Sequence, residues 1–311
     1  MFMMCQMYRI EKKLNLCLQN KDYYEAHQIY RTLYNRMSSK GEWRELLDML
    51  YSGVLQFLEG KESSSAIDLA ELFAETLEKS KTPVTSDILD RYEELFICLP
   101  AYLGNDLESN SEHEDRRMKY ILLGINWTRT VSVRKCDRQK GHSELHFRIA
   151  KSFWNEGDYS NARNHFLHSD KPEVFARFLT EYHTKCGYAE EKDLFIAQAV
   201  LQMLCIYKLK SSWILLTTYC DIHPDIRSKF PYPFPLLNFL HFTMLCLANT
   251  QPTCYKALIE QYESEIGRDP EYKSYINRIG EIYLGLQQPQ TNKGGLLGSM
   301  IKGEYYFSKI V

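Results

Sequence analysis

The chain has 311 residues, 44% of them hydrophobic and 25% charged, with a formal net charge of −2. That is the composition of a folded protein, and the near-zero charge speaks against a general nucleic-acid binder, which carries a strongly basic face. Nine cysteines, an odd number with no C-x-x-C pair and several in apolar stretches such as Leu204-Cys205-Ile206, are expected to be reduced core residues of a cytosolic or nuclear protein.

At the N-terminus Arg9, Glu11, Lys12 and Lys13 interrupt the chain before a signal-peptide core develops. The most apolar segment, Phe234 to Ala248, contains Asn238, His241 and Thr243 and is shorter than the ~20 residues that span a bilayer. A cytosolic chain without direct membrane insertion is expected.

Helical periodicity then dominates. Helices are predicted near 4–19, 22–37, 42–59, 65–80, 84–98, 115–127, 143–155, 158–168, 172–185, 189–208, 211–221, 234–249, 252–265 and 270–285. Short connections between helices of this length indicate antiparallel hairpins rather than a βαβ fold. Only Thr130–Val133 and Phe230–Pro235 carry extended-chain signals.

In helix 22–37, taken at 100° per residue, Ala26, Ile29, Tyr30, Leu33, Tyr34 and Met37 share one face. Tyr24, His27, Gln28, Arg31 and Asn35 fall opposite. Tyr24 is therefore an aromatic on a polar face, near Arg31, and these are the residue types that anchor interfaces. Shielding by helix 4–19 would give the same pattern. Arg36 joins the candidates on composition.

Residues 41–115 hold 18 acidic and 5 basic side chains, whereas 116–150 hold 9 basic and 2 acidic. Either neighbouring helices balance each other or the acidic part is a docking surface. In helix 65–80 Asp68, Glu71, Glu75 and Glu78 form one acidic stripe about 15 Å long. The stripe is either a solvated face or a ledge for a basic partner.

The segment 99–115 is polar and is expected to be a loop joining two halves. Beyond it, His142-Ser143-Glu144-Leu145-His146 places two imidazoles at i and i+4, as do His165 and His168 at i and i+3. The zinc-protease order H-E-x-x-H is absent and no third ligand is evident, so exposed polar residues near a helix start are the expectation. No phosphate-binding glycine loop or nucleophile elbow is present, and neither a metal nor a cofactor is expected.

Asp22-Tyr23-Tyr24-Glu25-Ala26-His27-Gln28-Ile29-Tyr30 and Asp158-Tyr159-Ser160-Asn161-Ala162-Arg163-Asn164-His165-Phe166 share D-Y-x-x-A-x-x-x-aromatic. The aspartate caps, the alanine admits a neighbouring helix and the aromatic fills the next layer, as in a tetratricopeptide-like hairpin. The fold expected is all-α, an α-solenoid (superhelix) of irregular hairpins. After Leu286 the chain turns to Gln-, Pro- and Gly-rich sequence, and 287–311 is expected to be an extended or disordered tail.

Asp22 to Tyr34 also resembles a helix of the Golgi-to-ER traffic adaptor family, whose animal members are the 35-kDa subunit of the transmembrane-domain recognition complex. Tyr51-Ser52-Gly53, Ala66-Ile67-Asp68-Leu69, Phe166-Leu167-His168-Ser169, Ala197–Gln202, Pro235–Phe239 and Gly294–Gly298 are similar to further blocks of that family, in family order. The resemblance implies a non-enzymatic adaptor for tail-anchored membrane proteins. Residues 1–110 would dock the dimeric targeting ATPase, and 111–286 would bind a ubiquitin-like protein or a BAG-family chaperone scaffold. It places the docking tyrosine on Tyr24 and the acidic regulatory positions on Asp68 and Glu75; Glu71 joins them from the stripe. The second partner would meet Phe230, Phe234, Leu236, Leu237 and Phe239, without a long polar hairpin insert, which points to the animal-type partner. The competing readings are a tetratricopeptide-like subunit of an unrelated assembly, or an enzyme built on His142, Glu144 and His146.

Overall fold

The computed structural model of the chain describes the backbone of residues 2–99 and 107–286, and the side chains of these apart from 2–8, 11 and 107–115. Among the described residues all regular structure is helical. The first helices are α1 (Phe2–Gln19), α2 (Tyr23–Lys40), α3 (Trp43–Glu59), α4 (Ser63–Lys79) and α5 (Ser86–Cys98). Then come α6 (Leu107–Val131), α7 (Lys135–Lys140), α8 (Ser143–Glu156), α9 (Tyr159–His168), α10 (Pro172–Cys186) and α11 (Lys192–Cys205). The last are α12 (Leu209–Ile222), α13 (Pro235–Ala248), α14 (Pro252–Gln261), α15 (Glu263–Ile266) and α16 (Pro270–Leu284).

The hairpins share one device. Asp22, Glu42, Glu62, Thr82, Asp158, Lys208 and Gln251 each donate their backbone N–H to the carbonyl five residues back, at 2.8 to 3.1 Å. The residue just before each has positive φ: Lys21, Gly41, Lys61, Lys81, Gly157, Tyr207 and Thr250. This left-handed helix stop satisfies carbonyls that the ending helix leaves free. In six of the seven the next residue caps the following helix. The side chains of Asp22 and Asp158 accept from Glu25 N and Asn161 N at 3.2 and 3.0 Å. The sequence shows this unit twice; among the described residues the backbone makes its turn seven times, because the hydrogen bond that closes it uses main-chain atoms alone.

Both copies of the repeat pack as their residue types require: Ala26 and Ala162 are fully buried, and so are Tyr30 and Phe166. Thr130 and Val131, expected to be extended, instead complete α6, and Phe230 to Phe234 is irregular chain ahead of α13, which Pro235 opens. The polar segment expected to be a loop is helical from Leu107 onward; its Asn, Ser and Glu side chains carry no apolar period that would reveal a helix. α7, six residues long, is too short to show a period. The predicted tail, 287–311, lies outside the described residues.

The chain divides into two compact units, one running to Leu145 and one beginning at His146. The sequence boundary near residue 110 falls inside the first unit, because α6 packs along α4. In that unit α3 packs on α2, α4 and α5, burying Leu46, Leu50, Val54 and Phe57 against Ala66, Leu69 and Phe73. Each such side chain removed from water contributes about 1.5–3 kcal/mol. Tyr92 and Tyr120 stack at 4.3 Å between α5 and α6, and Tyr92 donates to the Tyr120 carbonyl.

In the second unit α11 is the centre. It packs against α9, α10, α12, α13 and α16 and buries Ile196, Ala197, Ala199, Val200, Leu201, Met203 and Leu204. A helix apolar on all sides belongs in a core. Its one buried amide is satisfied: Arg163 Nη2 donates to Gln202 Oε1 at 2.8 Å, and Gln202 Nε2 donates to Tyr275 Oη at 3.0 Å. The described cysteines are free thiols, as expected, but the core reading holds only for Cys17, Cys220 and Cys246; Cys98, Cys136, Cys186 and Cys254 are exposed.

Candidate functional site

The capped start of α2 fixes which side chains face outward. Ala26, Ile29, Tyr30, Leu33 and Met37 are buried, and Tyr24 on the opposite face is 77% exposed. Arg36 is exposed as well. Along the same helix His27, Arg31 and Tyr34 line up toward α4. Arg31 donates from Nε and Nη2 to the two oxygens of Asp68 at 3.0 and 2.8 Å, and His27 Nε2 lies 2.8 Å from Asp68 Oδ2. Further along, Lys79 Nζ donates to Tyr34 Oη at 2.7 Å and to Glu75 Oε2 at 2.9 Å. Burial alone would lower the Lys79 ammonium, but the bonds to Tyr34 and Glu75 outweigh it and hold its pKa above the ordinary lysine value. Long polar side chains thus stitch α2 to α4 in a seam beside Tyr24.

This corrects the picture of an open acidic ledge. Asp68 and Glu75 are each held by a cation of this same chain. Glu71 is not a surface group: its side chain is 9% exposed and accepts from Arg116 Nε at 3.0 Å and Lys119 Nζ at 2.6 Å. The basic run that follows residue 115 in sequence therefore balances the acidic run before it, here through α6. Glu71 leaves the docking set because its partners lie 45 and 48 positions away, beyond the reach of a helical wheel.

The C-terminal candidates separate in the same way. Phe230 is 41% exposed and Phe234 is half-buried, with Lys192 Nζ 5.5 Å above its ring. Leu236, Leu237 and Phe239 are fully buried, so the reading of them as partner-binding residues is corrected: they are core. They lie in the first turns of α13, which is apolar around nearly its whole circumference and packs on α11, α12, α14 and α15. On the outer side of α13, Phe242 and Leu245, one turn apart, are 37% and 39% exposed. Phe230 stacks on His241 at 4.0 Å and meets Phe242 edge-on at 5.4 Å. Asn238 anchors this arrangement: Oδ1 accepts from Tyr232 N and Nδ2 donates to Tyr232 O, both at 2.8 Å. The spacing of Phe242 and Leu245, i and i+3, was legible in the sequence but could not be told from a core stripe.

The model of the family "Golgi to ER traffic protein 4" matches residues 40–303. The Golgi to ER traffic protein 4 homologs of Oryzias latipes and Homo sapiens are each 37% identical to this chain over 294 residues. That is 94% of this chain and 86% and 85% of theirs. The chain belongs to the Golgi to ER traffic protein 4 family. The crystal structure of C. therm. Get4 superposes with a TM-score of 0.76 at 21% identity, covering 96% of each chain, and shares this all-helical solenoid-type fold. The family model begins at residue 40, so Tyr24, Arg31 and Arg36 precede its match, whereas Asp68, Glu75 and the α13 surface lie within it.

The histidines of this family member are placed differently from their sequence reading. His142 Nδ1 accepts from Glu144 N at 3.3 Å and so caps α8, while His146 is buried, 3.0 Å from His165 by their Nδ1 atoms. The expectation of exposed residues at a helix start therefore fails for His146. Burial first, and His146 second, push the His165 imidazole well below its ordinary pKa. No group of three or more candidate ligands for a metal occurs among the described residues. A second pair, His183 and His223, was not singled out from the sequence at all, since 40 positions separate them.

Proposed function

We propose that this chain is a non-enzymatic cytosolic adaptor in the post-translational delivery of tail-anchored membrane proteins to the endoplasmic reticulum. The α2–α4 face would dock the targeting ATPase dimer. The second unit would hold a BAG-family chaperone scaffold or ubiquitin-like protein at the Phe230–Phe242–Leu245 surface. Family membership supports the pathway. No described helix is long and apolar enough to cross a membrane, which suits a chain that passes clients on rather than inserting itself.

The observation that carries the docking reading is Tyr24. A tyrosine left 77% exposed on an otherwise well-packed helix, beside a hydrogen-bonded polar seam, has the form of an interface anchor with a polar surround. Binding one conformation of the ATPase more tightly than another would shift its population by that difference in affinity. Holding a client-bearing partner on the same chain would raise the local concentration of client.

The test is a pull-down of the purified targeting ATPase, in each nucleotide state, by the full chain and by Tyr24→Ala. Loss of binding with an unchanged melting temperature supports the reading; undiminished binding by Tyr24→Ala removes it. For the second surface, Phe230→Ser/Phe242→Ser should release the chaperone-linked partner while leaving the ATPase bound.

A further inference from the structure

We infer that Arg31 is a resident competitor for the position that a docking protein's cation would take on Asp68, and so sets which cation can dock there. The inference rests on the docking reading above and goes beyond it. Arg31 matches Asp68 as a fork matches a fork: both carboxylate oxygens are engaged, at 3.0 and 2.8 Å. His27 takes a further position on Oδ2 at 2.8 Å. The carboxylate is only 20% exposed, so an incoming group cannot simply add to the cluster; it must displace a member.

The two members differ in how readily they leave. His27 is 18% exposed and its ring packs edge-on against Phe57 at 6.0 Å, which fixes it in the fold. The Arg31 side chain is 50% exposed, and it is the one with solvent to swing into. Displacing it removes two parallel N–H···O bonds. A lysine offers a point charge in exchange, whereas a guanidinium restores the same two bonds. The geometry therefore selects for a partner arginine at this position. Glu75 repeats the arrangement in weaker form, held through one oxygen by Lys79, whose side chain is also 50% exposed.

The experiment measures the affinity of the full chain for the targeting ATPase as a function of salt, for the wild type, Arg31→Gln, Arg31→Lys and Asp68→Asn. Removing the competitor in Arg31→Gln is expected to tighten binding about twofold to fivefold, the range an exposed ion pair holds. It should also steepen the salt dependence, because Asp68 is then free to meet the partner's charge. Arg31→Lys should fall between, and Arg31→Gln/Asp68→Asn should bind no better than Asp68→Asn alone. Melting temperatures of all five proteins, the double variant included, within about 2 °C of one another would show that the fold is intact, as a half-exposed pair requires. Unchanged or weaker binding by Arg31→Gln overturns the inference, since Arg31 would then be idle or itself a contact. Tyr24→Ala, run alongside, separates the two readings. Loss of binding there with no gain in Arg31→Gln defeats the competitor alone, and undiminished binding there defeats the docking face and the competitor together.

Discussion

His223 donates from Nε2 to Nδ1 of His183 at 3.0 Å, in the middle of a chain of three hydrogen bonds that fixes both tautomers. Asp225 N donates to His223 Nδ1 at 3.2 Å, so that nitrogen is an acceptor, and His183 Nε2 donates to the Tyr188 carbonyl at 2.9 Å. Every ring nitrogen is used, and a second proton on His223 would have to face the Asp225 N–H that already points at its Nδ1. Burial first, and His183 second, lower the His223 pKa to about 4. The unfolded chain takes up this proton near the ordinary value of about 6.5, so stability is present above that pH and is lost as pH falls from there toward about 4. The loss is at most about 3 kcal/mol, with His165 adding to it in the same direction. Denaturant titrations at pH 7.5 and 4.5 should show it, and His223→Gln, which keeps the donor to His183, should flatten part of the slope. An equal slope in His223→Gln would show that His223 does not titrate in this window.

Glu71 leads to a prediction opposite to that of a docking residue. Its carboxylate sits at the α4–α6 packing with Arg116 and Lys119 on it, and neighbouring Arg117 stacks on Phe96 at 4.1 Å. Glu71→Gln leaves two cations without their counter-charge. Complete burial would make that about 3–5 kcal/mol, but the two cations are 26% and 55% exposed, so solvent screening brings it to about 2 kcal/mol. Urea unfolding of Glu71→Gln should show that loss, while Asp68→Asn, whose Arg31 partner is half-exposed and screened by solvent, should lose less than about 1 kcal/mol. Equal costs would mean that the α4–α6 cluster is no more than a surface pair.

These cases mark what the sequence could and could not disclose. The caps at Asp22 and Asp158 depend on residues within one helix, and a local pattern is enough to read them; the wheel puts Tyr24 on the polar face, but only the packing of α1 on α2 decides that it stays exposed. The fate of Asp68 and Glu71 depends on Arg31, Arg116 and Lys119, from 37 to 48 positions away, and charge totals can show only that both signs are present. Leu236, Leu237 and Phe239 were misplaced for another reason. The resemblance put them at the partner surface, and α13 has almost no polar side, so no wheel could check it; its neighbours α11, α12, α14 and α15 decide which apolar residues are inside.

Asn238 should be the residue whose loss loosens the second surface without unfolding the unit. Its amide closes a ring with Tyr232 N and O, and its Nδ2 also lies 3.4 Å from the Phe234 carbonyl. Asn238→Ala gives up these bonds from a half-buried position, costing about 1–2 kcal/mol. Hydrogen exchange should speed up at Tyr232 and the residues around it, while the centre of α13, packed through Leu240, Met244 and Leu247, keeps its protection. Uniform loss of protection through α13 would show instead that Asn238 supports the helix itself.

Gly53 sets how closely α3 can lie against α2. A Cβ there would stand 2.7 and 2.8 Å from ring carbons of Tyr30 and 3.0 Å from Leu69 Cδ1. Tyr30 has nowhere to retreat: it is 2% exposed, its hydroxyl donates to Gln56 Oε1 at 2.8 Å, and its ring meets Phe57 edge-on at 5.6 Å. Alanine in a helix interior gains about 1 kcal/mol over glycine, whereas overpacking a filled core costs about 1–3 kcal/mol. Gly53→Ala should therefore destabilise the first unit by about 1 kcal/mol net, and by less in a Tyr30→Leu background, where a smaller side chain makes room. Because Tyr30 and Tyr24 stand on opposite faces of α2, a shift of that helix would also move Tyr24, and under the docking reading proposed above ATPase binding should weaken along with stability. A stabilised Gly53→Ala would mean that helix propensity prevails and that α2 and α3 can separate enough to relieve the methyl group's contacts with Tyr30.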